Sequence, residues 1–210
     1  MTNFTLRSGE KIVFIGDSIT DCGRREESPP LGNGYVSIAV NLIKAKYPGR
    51  DITCINKGIS GDTVGGLAER WTVDVMQENP DWVSIAIGIN DVARDHEAKK
   101  ELVKALSEFE GHYRQILKRT REISAHVILA EAFFIANEDG GMRGFGVDPY
   151  NAIIHKLAHE CRARLVPLNL AFKQAKTKGT AQVWTTGDGV HPNPAGHTLI
   201  ALKLLEALGW

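Results

Sequence analysis

Short apolar runs alternate with longer amphipathic stretches along the whole chain. The first run, Lys11-Ile12-Val13-Phe14-Ile15, is rich in β-branched residues and stops at a glycine, as a buried strand does. Later runs have the same character and also end in polar or small residues. The predicted strands lie within residues 11–16, 51–56, 81–91, 126–133 and 165–170.

The stretches between these runs carry apolar residues at helical spacing. The pattern is clearest at Val36, Ala39, Val40 and Ile43, where one face of a helix is apolar. The predicted helices cover residues 34–47, 63–78, 97–122, 148–162 and 193–208, with a short helix after the fifth strand. Strands that alternate with helices are typical of an α/β fold.

The strands are almost continuously apolar instead of strictly alternating. This pattern predicts a parallel sheet that helices cover on both faces, and Pro167 in the fifth strand favours an edge position. We expect one domain over residues 1–210, a three-layer α/β/α sandwich with a five-stranded parallel sheet. Ligands should bind at the carboxyl ends of its strands.

Charge and composition exclude several classes of partner. The chain has 25 basic and 25 acidic residues, so its formal net charge is zero, and we expect no binding to nucleic acid. The first residues do not resemble a secretory signal, and no apolar stretch is long enough to span a membrane. Cys22, Cys54 and Cys161 form no recognisable disulfide or zinc pattern. A cytoplasmic protein without a membrane partner is the expectation.

Polar residues at the predicted strand ends suggest a chemical role. Ser18 follows the first strand, Gly61 the second and Asn90 the third, whereas Asp188 and His191 share a late loop. Taken alone, Gly16-Asp17-Ser18 is explained at least as well by a helix cap as by a nucleophile. The other four positions decide between these interpretations, because a cap does not need them.

These positions together offer what acyl transfer requires. Asp188 and His191 are three residues apart, so the carboxylate can hold one imidazole nitrogen while the other takes the proton of Ser18. The backbone N–H groups of Ser18 and Gly61 and the side-chain amide of Asn90 can stabilise a developing oxyanion. We interpret Asp17 and Asp91 as structural.

Other candidate sites are weaker. His155 and His159 lie four residues apart on a predicted helix, but no third ligand is evident, so we expect neither a metal nor a cofactor. Trp184 can wall the active site and stack on a sugar ring, and packing or a subunit contact explains it equally well. The glycine-rich segment 137–147 is interpreted as a lid or a subunit contact.

Four motifs resemble, in order, the four motif blocks of the GDSL or SGNH hydrolases. They are Gly16-Asp17-Ser18-Ile19-Thr20, Ser60-Gly61-Asp62-Thr63, Gly88-Ile89-Asn90-Asp91 and Asp188-Gly189-Val190-His191-Pro192. The resemblance covers nearly the whole chain. It implies a flavodoxin-like sheet, a catalytic triad of Ser18, Asp188 and His191, and an oxyanion hole of Ser18, Gly61 and Asn90.

Further passages are similar to the intracellular acetylxylan esterases of this superfamily. They include Asn56-Lys57-Gly58-Ile59-Ser60-Gly61 and Ala195-Gly196-His197. This likeness implies a serine esterase that removes acetyl groups from xylo-oligosaccharides and forms a homo-oligomer. A broader acyl esterase, thioesterase or lysophospholipase with the same triad is the alternative. A non-catalytic carbohydrate-binding member is a third hypothesis, although no catalytic residue is missing.

Overall fold

A computed structural model describes residues 4–135, 146–176 and 183–210. These residues form a five-stranded sheet in which every neighbouring pair of strands is parallel. The strand order is β2-β1-β3-β4-β5. The strands are β1 (Lys11–Gly16), β2 (Thr53–Asn56), β3 (Trp82–Ala86), β4 (His126–Ala130) and β5 (Arg164–Val166).

Helices connect the strands and cover the sheet. They are α1 (Ser18–Asp21), α2 (Tyr35–Lys46), α3 (Val64–Trp71), α4 (Ile89–Glu97), α5 (Leu102–Glu122), α6 (Asp148–Cys161), α7 (Leu168–Lys176) and α8 (Pro194–Ala207). Helix α2 packs against α8, whereas α5 packs against both α3 and α6. These two groups form the outer layers of the predicted α/β/α sandwich.

The strand order places a switch point between β1 and β3. The chain steps from β1 to β2 on one side, and then returns to β3 on the other side of β1. Parallel α/β sheets bind ligands in the crevice at this point, outside the carboxyl ends of the strands. Strand β1, which pairs with β2 on one side and β3 on the other, is fully buried along Ile12 to Ile15. The strand that leads to Ser18 is therefore held firmly in the core.

Several element boundaries predicted from the sequence are wrong. The third strand ends at Ala86, because Gly88 adopts a φ of +136° and the chain then turns into α4. Asn90 therefore lies in the first turn of a helix. The helix predicted over residues 97–122 is α5, which begins only at Leu102, and α4 before it was not predicted. The helix predicted over residues 63–78 ends in a π-helical segment (Thr72–Met76).

The fifth strand is shorter than expected. It covers Arg164–Val166, and Pro167 lies outside it, directly before α7. Its edge position is confirmed, since β5 pairs with β4 alone among the described strands. Most of the glycine-rich segment 137–147 lies outside the described residues. Among the residues described, no helix has both the length and the apolar character needed to cross a membrane.

Candidate active site

Ser18, His191 and Asp188 form a continuous hydrogen-bonded chain. The Ser18 Oγ lies 3.0 Å from His191 Nε2, and His191 Nδ1 lies 2.5 Å from Asp188 Oδ2. The side chains of His191 and Asp188 are 50% and 44% exposed, so this hydrogen-bonded triad lies at the surface. The structure thus brings Ser18 to an Asp188–His191 pair that is distant from it in the sequence, with the geometry in which a histidine can take the serine proton.

The loop that carries Asp188 and His191 is held by its own backbone. Asp188 Oδ1 accepts hydrogen bonds from the N–H groups of Val190 and His191, each at 2.8 Å. Gly189 has a φ of +78°, and a Cβ there would lie 2.4 Å from the carbonyl oxygen of Ile135, so only glycine fits. Partial burial by itself would raise the pKa of Asp188, but its hydrogen bonds to His191 and Val190 outweigh this effect and lower it.

Asp17 holds the turn that presents Ser18. It caps α1, and its Oδ1 accepts a hydrogen bond from the N–H of Ile19 at 3.0 Å. This confirms the structural interpretation of Asp17. Burial raises its pKa to about 7, although the bond from Ile19 and the nearby His191 act in the opposite direction.

Gly61 and Asn90 lie on the segments after β2 and β3. Asn90 Nδ2 donates one hydrogen to the carbonyl oxygen of Asp62 at 2.9 Å, which leaves its second amide hydrogen available. Gly61 has a φ of +78°, and Arg94 donates to its carbonyl oxygen at 2.7 Å. Within the described part of the chain, the N–H of Gly61 has no acceptor. The loop is therefore fixed while this donor stays available.

Asp91, next to Asn90, is also structural. Its carboxylate oxygens accept the N–H of Val64 at 3.2 Å, which ties the start of α3 to α4. Burial is the main reason why the pKa of Asp91 is raised to about 7. This carboxyl group supports the loop between β2 and α3, as expected from the sequence.

Arg70 joins three segments around the site, and no sequence motif singled it out. Its guanidinium donates to the carboxylates of Asp62 at 2.7 Å and Asp74 at 2.6 Å. It also donates to the carbonyl oxygens of Lys57 at 2.7 Å and Gly16 at 3.2 Å. The spacing of Arg70 and Asp74 on a helix was the one visible signal. The other partners become neighbours only in the folded chain.

A second buried group, Asp21, was also not predicted from the sequence. Its Oδ2 accepts hydrogen bonds from the N–H and the Oγ of Ser60, at 3.1 and 3.2 Å, and from Arg25 at 3.2 Å. Asp21 is the last residue of α1, and Ser60 precedes Gly61. The carboxylate therefore ties the helix that begins with Ser18 to the loop that carries Gly61.

The other candidate residues from the sequence, Trp184 and His155, lie in surroundings that indicate structural roles. Trp184 is partly buried against the core, and its indole N–H has no partner among the described residues. His155 Nε2 lies 2.5 Å from Oε1 of the buried Glu131 carboxylate. Within the residues that the structure describes, no group of three or more His, Cys, Asp or Glu side chains could hold a metal ion.

The sequence profile of the GDSL-like lipase/acylhydrolase family matches residues 14–199. The chain belongs to this family. A serine beside a histidine–aspartate pair at a strand end is consistent with the acyl chemistry that the family's description names. The resemblance and the fold class predicted from the motifs are both confirmed.

Relatives cover nearly the full length of the chain. An acetylxylan esterase of Geobacillus stearothermophilus is 42% identical, over 97% of this chain and 95% of its own. The thioesterase 1/protease 1/lysophospholipase L1 of Escherichia coli K12 is 25% identical, over 96% of this chain and 84% of its own.

The fold is also shared with solved structures. The crystal structure of Axe2, an acetylxylan esterase from Geobacillus stearothermophilus, superposes with a TM-score of 0.87 and 37% identity, over 98% of this chain and 97% of that one. Solved variants of Axe2 described as catalytic mutants replace a serine, an aspartate or a histidine with alanine. These are the residue types of the chain formed by Ser18, Asp188 and His191.

Proposed function

We propose that the protein is a serine esterase that removes acetyl groups from acetylated xylo-oligosaccharides through an acyl-enzyme. Ser18 Oγ attacks the acetyl carbonyl carbon while His191 Nε2 takes its proton, and Asp188 holds the imidazole. The tetrahedral intermediate expels the sugar oxygen, which takes the proton from His191. Water then attacks the acetyl ester on Ser18 while His191 Nε2 takes its proton. The bond to Ser18 Oγ breaks, His191 returns the proton to that oxygen, and acetate leaves.

The oxyanion formed in both steps needs donors that are already in place. We assign this role to the backbone N–H groups of Ser18 and Gly61 and to the side-chain amide of Asn90. The support is that, among the described residues, neither the second hydrogen of the Asn90 amide nor the N–H of Gly61 has an acceptor. No metal or cofactor is part of this mechanism.

Two observations support a carbohydrate ester as substrate. The first is the 42% identity to an acetylxylan esterase over almost the whole chain. The second is a cleft of about 460 Å³ beside Gly61, which is lined by Ser60, Glu69 and Arg94 among others. Its size suits a small ligand, and the charged side chains of Glu69 and Arg94 can hydrogen-bond the hydroxyl groups of a sugar.

One observation carries the proposal: the hydrogen-bonded chain from Ser18 through His191 to Asp188. The experiment compares acetate release from acetylated xylo-oligosaccharides with hydrolysis of aryl esters of increasing acyl length. We expect acetyl esters to be the best substrates and Ser18→Ala to abolish turnover. Undiminished activity of Ser18→Ala would reject the mechanism, and faster turnover of long-chain esters would reject the acetyl preference.

A broader acyl esterase, thioesterase or lysophospholipase is the second candidate. The similarity to the E. coli thioesterase and lysophospholipase over 96% of this chain favours it, since fold and triad do not define the acyl group. Under this alternative, acyl-thioesters or lysophospholipids would be hydrolysed at least as efficiently as acetylated sugars. Adding these two substrates to the series of esters therefore separates the two candidates.

We further propose one domain that acts in the cytoplasm on xylan fragments and assembles into a homo-oligomer. The three free thiols of Cys22, Cys54 and Cys161 support a reducing compartment. Exposed Leu170 and Val183, at 52% and 48%, support self-association, because a subunit contact would remove them from water. Sedimentation of the full chain tests the oligomer.

Trp184 at the edge of the catalytic loop is proposed to contact the sugar.

A further inference from the structure

Two short segments carry Ser18 and His191, and a second contact joins the same two segments. Four residues after Ser18, Cys22 is the C-cap of α1, and six residues after His191, His197 lies in the first turn of α8. Cys22 Sγ lies 3.2 Å from His197 Nε2. The segments are thus connected twice, once through Ser18 and His191 and once through Cys22 and His197.

The direction of each hydrogen bond around His197 can be assigned. Its Nδ1 lies 3.2 Å from the backbone nitrogen of Tyr35, which can only donate. The neutral ring therefore carries its proton on Nε2 and donates it to Cys22 Sγ, whose own hydrogen points to the carbonyl oxygen of Ile19 at 3.5 Å. Burial, together with the nearby His191, lowers the pKa of His197 to about 4, so this neutral form persists at neutral pH.

The contacts close a ring through three helices. Tyr35 begins α2, and its hydroxyl group lies 3.1 Å from Thr20 Oγ1 in α1. A side chain at Gly34 would clash with this ring, because its Cβ would lie 2.5 Å from Cys22 Sγ and 2.9 Å from His197 Cε1. His197 is 8% exposed and contacts both α1 and α2 from α8. The ring is therefore closely packed around one buried imidazole.

We propose that His197 is a positioning residue, which holds the turn of Ser18 in register with the loop of His191 through Cys22 and Tyr35. The inference rests on the proposed esterase mechanism, and assigns to it a second histidine that contacts neither substrate nor the reacting atoms. A shift of the serine turn by a fraction of an ångström would lengthen the 3.0 Å contact through which the proton moves. The effect should therefore fall on the chemical step and leave substrate binding intact.

The test uses His197→Ala, Cys22→Ala and Cys22→Ser with 4-nitrophenyl acetate, assayed well below each variant's unfolding temperature. We expect His197→Ala to lower kcat by about 10- to 100-fold with little change in KM. Cys22→Ala should lower kcat in the same way and Cys22→Ser should restore it, because a hydroxyl can accept from Nε2 and donate to Ile19. The matched control is Cys54→Ala, which removes a half-buried thiol whose one hydrogen bond among the described residues is to the carbonyl oxygen of Ile52.

The result that overturns the proposal is a wild-type kcat in His197→Ala, whatever its stability, or equal losses in Cys22→Ala and Cys54→Ala. If His197→Ala does not fold, Cys22→Ala and Cys22→Ser test the proposal. A kcat restored in Cys22→Ser supports it, and an equal kcat in the two variants rejects it. The rate at which a fluorophosphonate labels Ser18 provides a readout independent of any ester. If the esterase proposal fails, the wild type will hydrolyse no ester although the fluorophosphonate still labels Ser18. The labelling rates of the variants would then decide the role of His197.

Discussion

The side-chain amide of Asn90 is anchored by the carbonyl oxygen of Asp62, at 2.9 Å. One amide hydrogen is used in this bond, so the orientation of the other is fixed before substrate arrives. Arg94 holds the carbonyl oxygen of Gly61, the residue before Asp62. Donors set in advance lose no free energy to reorientation when charge develops, which is why such groups contribute strongly to catalysis.

Replacing Asn90 should therefore affect catalysis far more than binding. We expect Asn90→Ala to lower kcat by about 100-fold or more with little change in KM, because one oxyanion donor is lost. Steady-state kinetics with an acetyl ester provide the measurement. Asn151→Ala is the control, since Asn151 is a buried amide that bonds the backbone of Ala132. A similar kcat loss in both variants would contradict the role of Asn90.

Arg70 should contribute strongly to stability, because its side chain is only 16% exposed and holds Asp62 and Asp74. We expect Arg70→Ala to lower the free energy of unfolding by about 3 kcal/mol, since two partly buried carboxylates lose their guanidinium partner. Urea unfolding measures the change.

Arg114 provides the matched comparison for that measurement. It also bonds two carboxylates, those of Glu110 and Glu160, but its side chain is 45% exposed. Exposed pairs contribute little, so Arg114→Ala should lower the free energy of unfolding far less than Arg70→Ala does. Equal losses in the two arginine variants would show that burial does not determine the contribution of Arg70.

Asp17 should make the fold less stable as pH rises. Its pKa is about 7 in the folded chain against an ordinary value of 3.8, so the folded state binds the proton more tightly than the unfolded state. The free energy of unfolding contributed by this group is largest below pH 3.8 and falls as pH rises to about 7.

Asp17→Asn should remove this fall, because asparagine keeps an oxygen for the N–H of Ile19 but does not ionise. Above pH 7 the variant should be more stable than the wild type by up to about 4 kcal/mol. Chemical unfolding at several pH values tests this, with the exposed Asp51→Asn as control. A variant that keeps the wild-type pH dependence would show that Asp17 is not its source.

Glu69 should distinguish sugar recognition from acyl recognition. It lines the cleft beside Gly61 and is exposed. We expect Glu69→Ala to raise KM for acetylated xylo-oligosaccharides and to leave 4-nitrophenyl acetate kinetics unchanged, since the aryl ester has no sugar to contact. Glu101→Ala, at an exposed position outside this cleft, is the control. Equal effects on both substrates would argue against a sugar site here.

The parts predicted well from sequence are those that depend on local patterns. Buried strands such as β1 are continuously apolar, and motif residues at their ends come together because parallel strands point the same way. The boundary after β3 was missed because Ile87 and Ile89 extend the apolar run past Gly88, although both side chains are buried outside the strand.

The supporting contacts of the site were not predictable in the same way. Asp21 and Ser60, or Cys22 and His197, are distant in the chain, and each becomes a partner only through the packing of different elements. No spacing rule covers such pairs. The sequence could suggest which groups react, but not which groups hold them in place.

The central claim is that Ser18 carries the acetyl group during turnover. Rapid quenching in acid during hydrolysis of an acetyl ester, followed by peptide mass spectrometry, tests it most directly. We expect an acetyl adduct on Ser18 in the wild type, which decays as acetate is released, and no adduct in Ser18→Ala. Sustained acetate release in which Ser18 never carries an acetyl group, or an adduct on another residue, would contradict the claim.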